Sequence, residues 1–95
     1  MAPLSVRFRL YVAGQGPNSR LAIANLAALC ETYLPGQHQV EIVDVFEHPA
    51  RALEDGVLLT PQLAILSASP VQMIIGNLSH TEVLLKALDL PREAL

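Results

Sequence analysis

The sequence predicts a single α/β domain with the element order β-α-β-α-β-β-α. Three observations carry the prediction. A period-two stretch near the N-terminus is followed by a long helical stripe and a second strand-like run, the pattern of a βαβ crossover with parallel strands. Two short apolar runs separated by a proline-containing turn then read as a hairpin. An amphipathic segment closes the chain. In "VRFRLYVAG", Val6, Phe8, Leu10 and Val12 share one face, Arg7 and Arg9 take the other, and Gly14 ends the strand. "QGPNS" is punctuation, with Pro17 suited to a first helical turn. From Ser19 to Leu34 the spacing is helical: Ile23, Leu26, Ala27, Cys30 and Tyr33 form a stripe that Ala22, Ala28 and Leu29 widen, so burial over much of the helix is expected. "LPGQH" ends it. "QVEIVDVF" is the second strand, with Val40 and Ile42 on one face. "EHPARALEDG" carries Pro49 near a helix start and Gly56 past its end, hence a short helix. "PQLAIL" and "VQMIIG", parted by "SASP", form the hairpin.

Composition bounds the function. Ninety-five residues make one domain, spanning 1–95. A chain of this size buries only roughly 60–65% of its unfolded surface, so association would add stability. It is 52% hydrophobic and 16% charged, with two Phe, two Tyr and no Trp, so the core must be aliphatic. Disorder is excluded by that apolar content. A net charge of −3 gives no general attraction to nucleic acid or to an anionic membrane. Cys30 is the sole cysteine, so no internal disulfide or CxxC pair can form. The N-terminus lacks a basic segment followed by an apolar core, and no apolar run reaches the ~18 residues of a spanning helix. The expectation is a soluble cytoplasmic domain.

The element order resembles the thioredoxin-like fold. That resemblance implies a cis peptide at Thr60-Pro61, just before the third strand; X-Pro is where the cis form costs only about 0.5–1 kcal/mol. A thioredoxin-like enzyme would hold a nucleophilic cysteine at the first strand-to-helix junction, where the helix N-terminus lowers the thiol pKa. Here that junction is Gly14-Gln15-Gly16-Pro17-Asn18-Ser19, without cysteine. Cys30 lies about three turns further on, among apolar residues, and reads as a small buried hydrophobe. Ser19 has no histidine near it in sequence. His38, His48 and His80 fall in turns or at helix starts and match no metal-ligand spacing. Asp44 ends a strand, and Glu54 with Asp55 reads as a solvated turn. "GQG" lacks the Lys-Ser/Thr ending of a phosphate loop. No catalytic residue, metal or cofactor is expected. A redox or glutathione-handling protein of thioredoxin type is the alternative, disfavoured by the missing junction cysteine.

The ordered set "LYVAG", "PNS", "VDV" with Pro49 five residues after Asp44, "TPQL", "IIGNLS" and "LDL" resembles the KaiB family of circadian clock proteins over residues 8–90. The resemblance implies a binding protein, not an enzyme. KaiB proteins bind the ATPase ring of hexameric KaiC, sequester KaiA, and displace a sensor kinase whose KaiB-like domain competes for the ring. It also implies two folds: a tetrameric ground state of order β-α-β-β-α-α-β, and a monomeric thioredoxin-like state that binds KaiC. Core-oscillator relatives resemble this chain but carry basic residues where it has Glu41, Gly56, Gln72 and Met73, and an arginine where it has Leu21, with Arg20 one position earlier. A divergent paralogue with altered partners is therefore expected. In the predicted order the second strand is an edge open to strand addition, which places the partner surface at Gln39, Glu41 and Val43 with Arg20 nearby.

The segment that changes structure between the two states runs from Gly76. Ser79-His80-Thr81-Glu82 reads as a capping box, worth about 1 kcal/mol if formed. Ala87 stands where the core relatives have glycine, which is about 1 kcal/mol worse inside a helix. Lys86 suits the dipole at the helix end, Asp89 opposes it weakly, and Pro91 stops the helix. As a strand the segment has no polar face. The expectation is a helix from Ser79 to about Leu90 and a mainly monomeric thioredoxin-like resting state, with the homotetramer as the alternative.

Overall fold

A computed structural model describes residues 5–89. Its elements follow the expected order: β1 (Val6–Val12), α1 (Pro17–Tyr33), β2 (His38–Asp44), α2 (Pro49–Glu54), β3 (Gln62–Ile65), β4 (Gln72–Ile75) and α3 (Thr81–Ala87). The four strands form one sheet in the order β2-β1-β3-β4. β1 pairs with β2 in parallel from Val6↔His38 to Val12↔Asp44. It pairs with β3 antiparallel from Phe8↔Ile65 to Tyr11↔Gln62. β3 and β4 form the hairpin, Gln62↔Ile75 to Ile65↔Gln72.

Period-two alternation in β1 sends Phe8, Leu10 and Val12 to the main core, where they meet Ala22, Leu26, Leu29 and Cys30 of α1 and Leu84 and Leu85 of α3. Tyr11 points to the other side of the sheet and joins a smaller core with Val43 and Ala64. α2 is tied to that side by the Asp55 carboxylate just past its end, which accepts the Tyr11 hydroxyl. α1 is less enclosed than its composition suggested. Its buried line is Ser19, Ala22, Leu26, Leu29 and Cys30, while Ala27 and Ala28 are exposed. It starts at Pro17, two residues earlier than the apolar stripe implied, because Pro at the first turn needs no N–H partner.

The Thr60-Pro61 peptide is cis, as the thioredoxin-like resemblance implied, and so is Ser69-Pro70. The tail is helical, but its start differs from the expected one. The N-cap is His80, without a side-chain cap bond, one residue later than the expected Ser79. Ser79 instead donates its backbone N–H to Asn77 Oδ1 at 3.0 Å. Asn77 also donates through Nδ2 to Asn18 Oδ1 and accepts at its carbonyl from Asn25 Nδ2, tying this turn to α1. Leu78, buried between them, takes φ +65°, which no helix start would require. An asparagine-held turn thus leads into α3. Glu82 lies in the first turn of α3 and Lys86 in the last. Ala87 is the final helical residue and packs on the main core. Asp89 takes φ +58° just beyond the C-cap Leu88. The expected continuation through Leu90 to Pro91 lies outside the described residues.

Candidate interaction surface

The order β2-β1-β3-β4 leaves β2 open along one side. Two bonds fix which residues present that side. Val6 N–H donates to Gln37 O at 2.9 Å, and Val45 N–H donates to Val12 O at 2.8 Å. In a parallel pair this alternation continues between them, so residues 37, 39, 41, 43 and 45 turn their backbone inward to β1. His38, Val40, Ile42 and Asp44 turn theirs outward. The Asp44 carbonyl is already taken by the N–H groups of Glu47 and His48. Open N–H and C=O groups therefore sit chiefly at Val40 and Ile42.

The side chains of those two residues are exposed as well, Val40 at 40% and Ile42 at 47%. With Ile23, Ala27, Cys30 and Glu31 they line an apolar groove of about 460 Å³ between β2 and α1. The period-two reading placed Val40 and Ile42 together correctly. It did not show that α1 leaves both side chains partly uncovered.

The opposite face of β2 is ionic. Glu41 accepts from Arg9 Nε at 2.7 Å and from Arg51 Nη1 at 3.0 Å. Arg9 also lies 3.5 Å from Asp55 Oδ2, which accepts the Tyr11 hydroxyl. Bonds from Arg51 and then Arg9 hold the Glu41 carboxyl down to about 2. Burial first, and then its bond to Asp55, push the Tyr11 phenol above its usual range. Two cations and two anions meet here, so the cluster is neutral overall. It joins the C-terminal end of α2 to β1 and β2. Asp55, read from sequence as a solvated turn residue, is thus an anchor. No sequence signal paired it with Tyr11 across a separation of 44 residues.

Of the residues expected to meet a partner, Gln39 and Glu41 are exposed. Val43 is 1% exposed in the smaller core, because Tyr11 and Ala64 cover it; its side chain is not on the surface. Arg20 is exposed on α1 and makes no ion pair among the described residues. Gly56 is exposed at φ +71°, and Gln72 and Met73 are exposed on β4. Gly76 takes φ +120° between β4 and the asparagine-held turn.

A second cleft of about 460 Å³ lies at the start of α1, where a thioredoxin-like enzyme would work. Asn18, Thr60, Pro61, Ser79 and His80 line it. Cys30 is not among its lining residues: it is fully buried, and burial pushes its thiol up to about 11. Ser19 Oγ is engaged with Ala13, accepting from its N–H and donating to its carbonyl. Among the described residues no group of three or more His, Cys, Asp or Glu side chains could hold a metal. None of the described helices is long and apolar enough to cross a membrane.

The KaiB domain profile matches residues 9–90. The chain belongs to the KaiB family. It is 44% identical over 87 residues to the circadian clock protein KaiB3 of Synechocystis sp., covering 92% of this chain and 85% of that protein. It is 42% identical over 92 residues to the circadian clock oscillator protein KaiB of Thermostichus vulcanus, covering 95% and 85%. Among solved structures, this KaiB-family chain superposes on the N-terminal domain of Synechococcus elongatus SasA with a TM-score of 0.74, at 16% identity over 93% of this chain and 83% of that one. It superposes on mitochondrial thioredoxin 3 of Saccharomyces cerevisiae with a TM-score of 0.67, at 18% identity over 90% and 78%. The fold is thioredoxin-like.

Proposed function

We propose that this chain is a non-catalytic, cytoplasmic interaction module that binds a KaiC-type hexameric ATPase ring in the thioredoxin-like state. There it competes with a KaiB-like sensor kinase domain and can sequester a KaiA-type partner. The reading rests on one observation: a KaiB-family chain in this fold leaves β2 unpaired at Val40 and Ile42, the geometry that accepts a partner's strand. The likeness in shape to the SasA domain supports competition for a shared site. Glu41, Gly56, Gln72 and Met73, uncharged or acidic where core relatives are basic, support a paralogue with shifted partner preference. The neutral Arg9–Glu41–Arg51–Asp55 cluster supports slow, weakly steered association rather than none.

The test is interferometry of the chain on an immobilised KaiC-type ring. Binding is expected, with competition from a SasA-type domain. Val40→Pro removes an outward N–H without breaking the β1 ladder and should weaken binding. Glu41→Lys leaves three cations together and should raise the association rate, most at low salt. Absence of binding to every KaiC-type ring tried would defeat the reading. Binding indifferent to Val40→Pro, and to charge reversal at Arg20 and Glu41, would move the surface elsewhere.

A further inference from the structure

The other edge of the sheet, β4, is open too, and its chemistry differs. Gly76 N–H donates to Pro61 O at 2.9 Å. With the antiparallel register Gln62↔Ile75 to Ile65↔Gln72, this makes Gly76, Ile74 and Gln72 the residues bonded to β3. Met73 and Ile75 then turn their N–H and C=O groups outward. Their side chains are also exposed, 41% and 59%, and Val71 just before the strand is exposed at 48%. Natural edges are usually blunted by charge. From Val57 to Ser79 the sequence holds no Asp, Glu, Lys, Arg or His, so this edge has none.

We propose that β4 pairs with β4 of a second copy of this chain, antiparallel about a two-fold axis at Ile74. An isologous contact sets each patch against itself, so a charged edge would repel its own copy; an uncharged one does not. The register follows from the backbone. Met73 and Ile75 both face outward, and two-fold pairing places Met73 opposite the partner's Ile75. Each such pair exchanges two bonds, and the two pairs flank Ile74 meeting its own symmetry mate. Met73 and Ile75 side chains then pack across the joint on the α2 side, and the sheet becomes continuous through both copies. A joint of one four-residue strand falls well below the ~1,200 Å² of a standard interface, so the dimer is weak and forms on concentration. The monomer expected from the sequence is its dilute form. This contact uses the edge remote from β2.

Sedimentation velocity from micromolar to millimolar protein tests it, with circular dichroism as a check on folding. The wild type should show a reversible monomer–dimer equilibrium. Met73→Lys with Ile75→Lys sets ammonium groups opposite one another and should lower the association constant by about tenfold or more. Met73→Lys with Ile75→Glu sets each ammonium opposite a carboxylate and should restore association to at least the wild-type level. Amides of Met73 and Ile75, not those of Val40 and Ile42, should gain exchange protection as concentration rises. A monomer at every concentration, indifference to the double lysine, a charge-swapped pair no better than the double lysine, or protection appearing at β2 instead would each overturn the proposal.

Discussion

The two open edges of one sheet carry opposite instructions. β2 spans seven residues, pairs in parallel, and has an ionic face where Arg9, Glu41 and Arg51 meet. β4 spans four, pairs antiparallel, and lies in a 23-residue stretch free of ionisable side chains, Val57 to Ser79. Both offer bare backbone, so hydrogen bonding alone cannot tell a visitor which edge to choose. Side chains make the distinction. A partner at β2 must tolerate fixed charges on one side and can fill an apolar groove on the other, so its arrival responds weakly to salt while the cluster is neutral. A partner at β4 meets neither, and its binding should not.

The largest expected effect comes from proline placed by parity. Gln39→Pro deletes an inward N–H and leaves the Val6 carbonyl unpaired, which should cost about 1–3 kcal/mol in urea unfolding. Val40→Pro, one residue on, deletes an outward N–H and should cost distinctly less. Equal losses at the two positions would show that the assigned inward and outward sets are wrong. At β4, Met73→Pro is the outward counterpart and should be tolerated similarly.

A smaller effect is expected in α3. Ala87→Gly should destabilise α3 by no more than about 1 kcal/mol, because Ala87 is the last helical residue and the full propensity difference belongs to helix interiors. NMR shifts of residues 81–87 would report any rise in an extended population. Unchanged shifts and stability would remove helix propensity at Ala87 from the account of α3.

The smallest effect should come from the ionic face. The Glu41 carboxyl is held at about 2, below its ordinary value, so its stabilisation is fully present above the carboxylate range. It fades as pH falls through about 4 toward 2. Comparing wild type with Glu41→Gln, the stability gap should be modest at neutral pH, since these groups are partly solvated, and should close on acidification. A gap independent of pH would mean that Glu41 acts by packing, not by charge.

Much of this architecture was legible from local pattern. Alternation in β1 named Phe8, Leu10 and Val12 as core, and the Pro and Gly punctuation placed α2 and the hairpin. What failed were statements about what lies on top of what. Val43 shares parity with Gln39 and Glu41, yet Tyr11 and Ala64 bury it; nothing in the strand itself says where the cover begins. Ala27 and Ala28 fit a helical stripe, but small residues are as readily exposed as buried. The Ser79/Glu82 spacing put the N-cap at Ser79; it lies one residue on at His80, and the Ser79 N–H bonds to Asn77 Oδ1. The Tyr11–Asp55 bond, which closes α2 onto the sheet, joins residues too distant for any window to pair.

Within the sheet, the N-terminal βαβ unit meets the C-terminal hairpin along one seam, the four residue pairs between β1 and β3 from Phe8↔Ile65 to Tyr11↔Gln62. Everything beyond that seam is local to its own half in the sheet. Such a boundary divides a small domain into two cooperative units that need not open together. Amide exchange in β3 and β4 should then report a sub-global opening at lower free energy than exchange in β1 and β2. In that opened form the βαβ unit should persist while the hairpin and α3 are released, leaving the first half folded while the second is free.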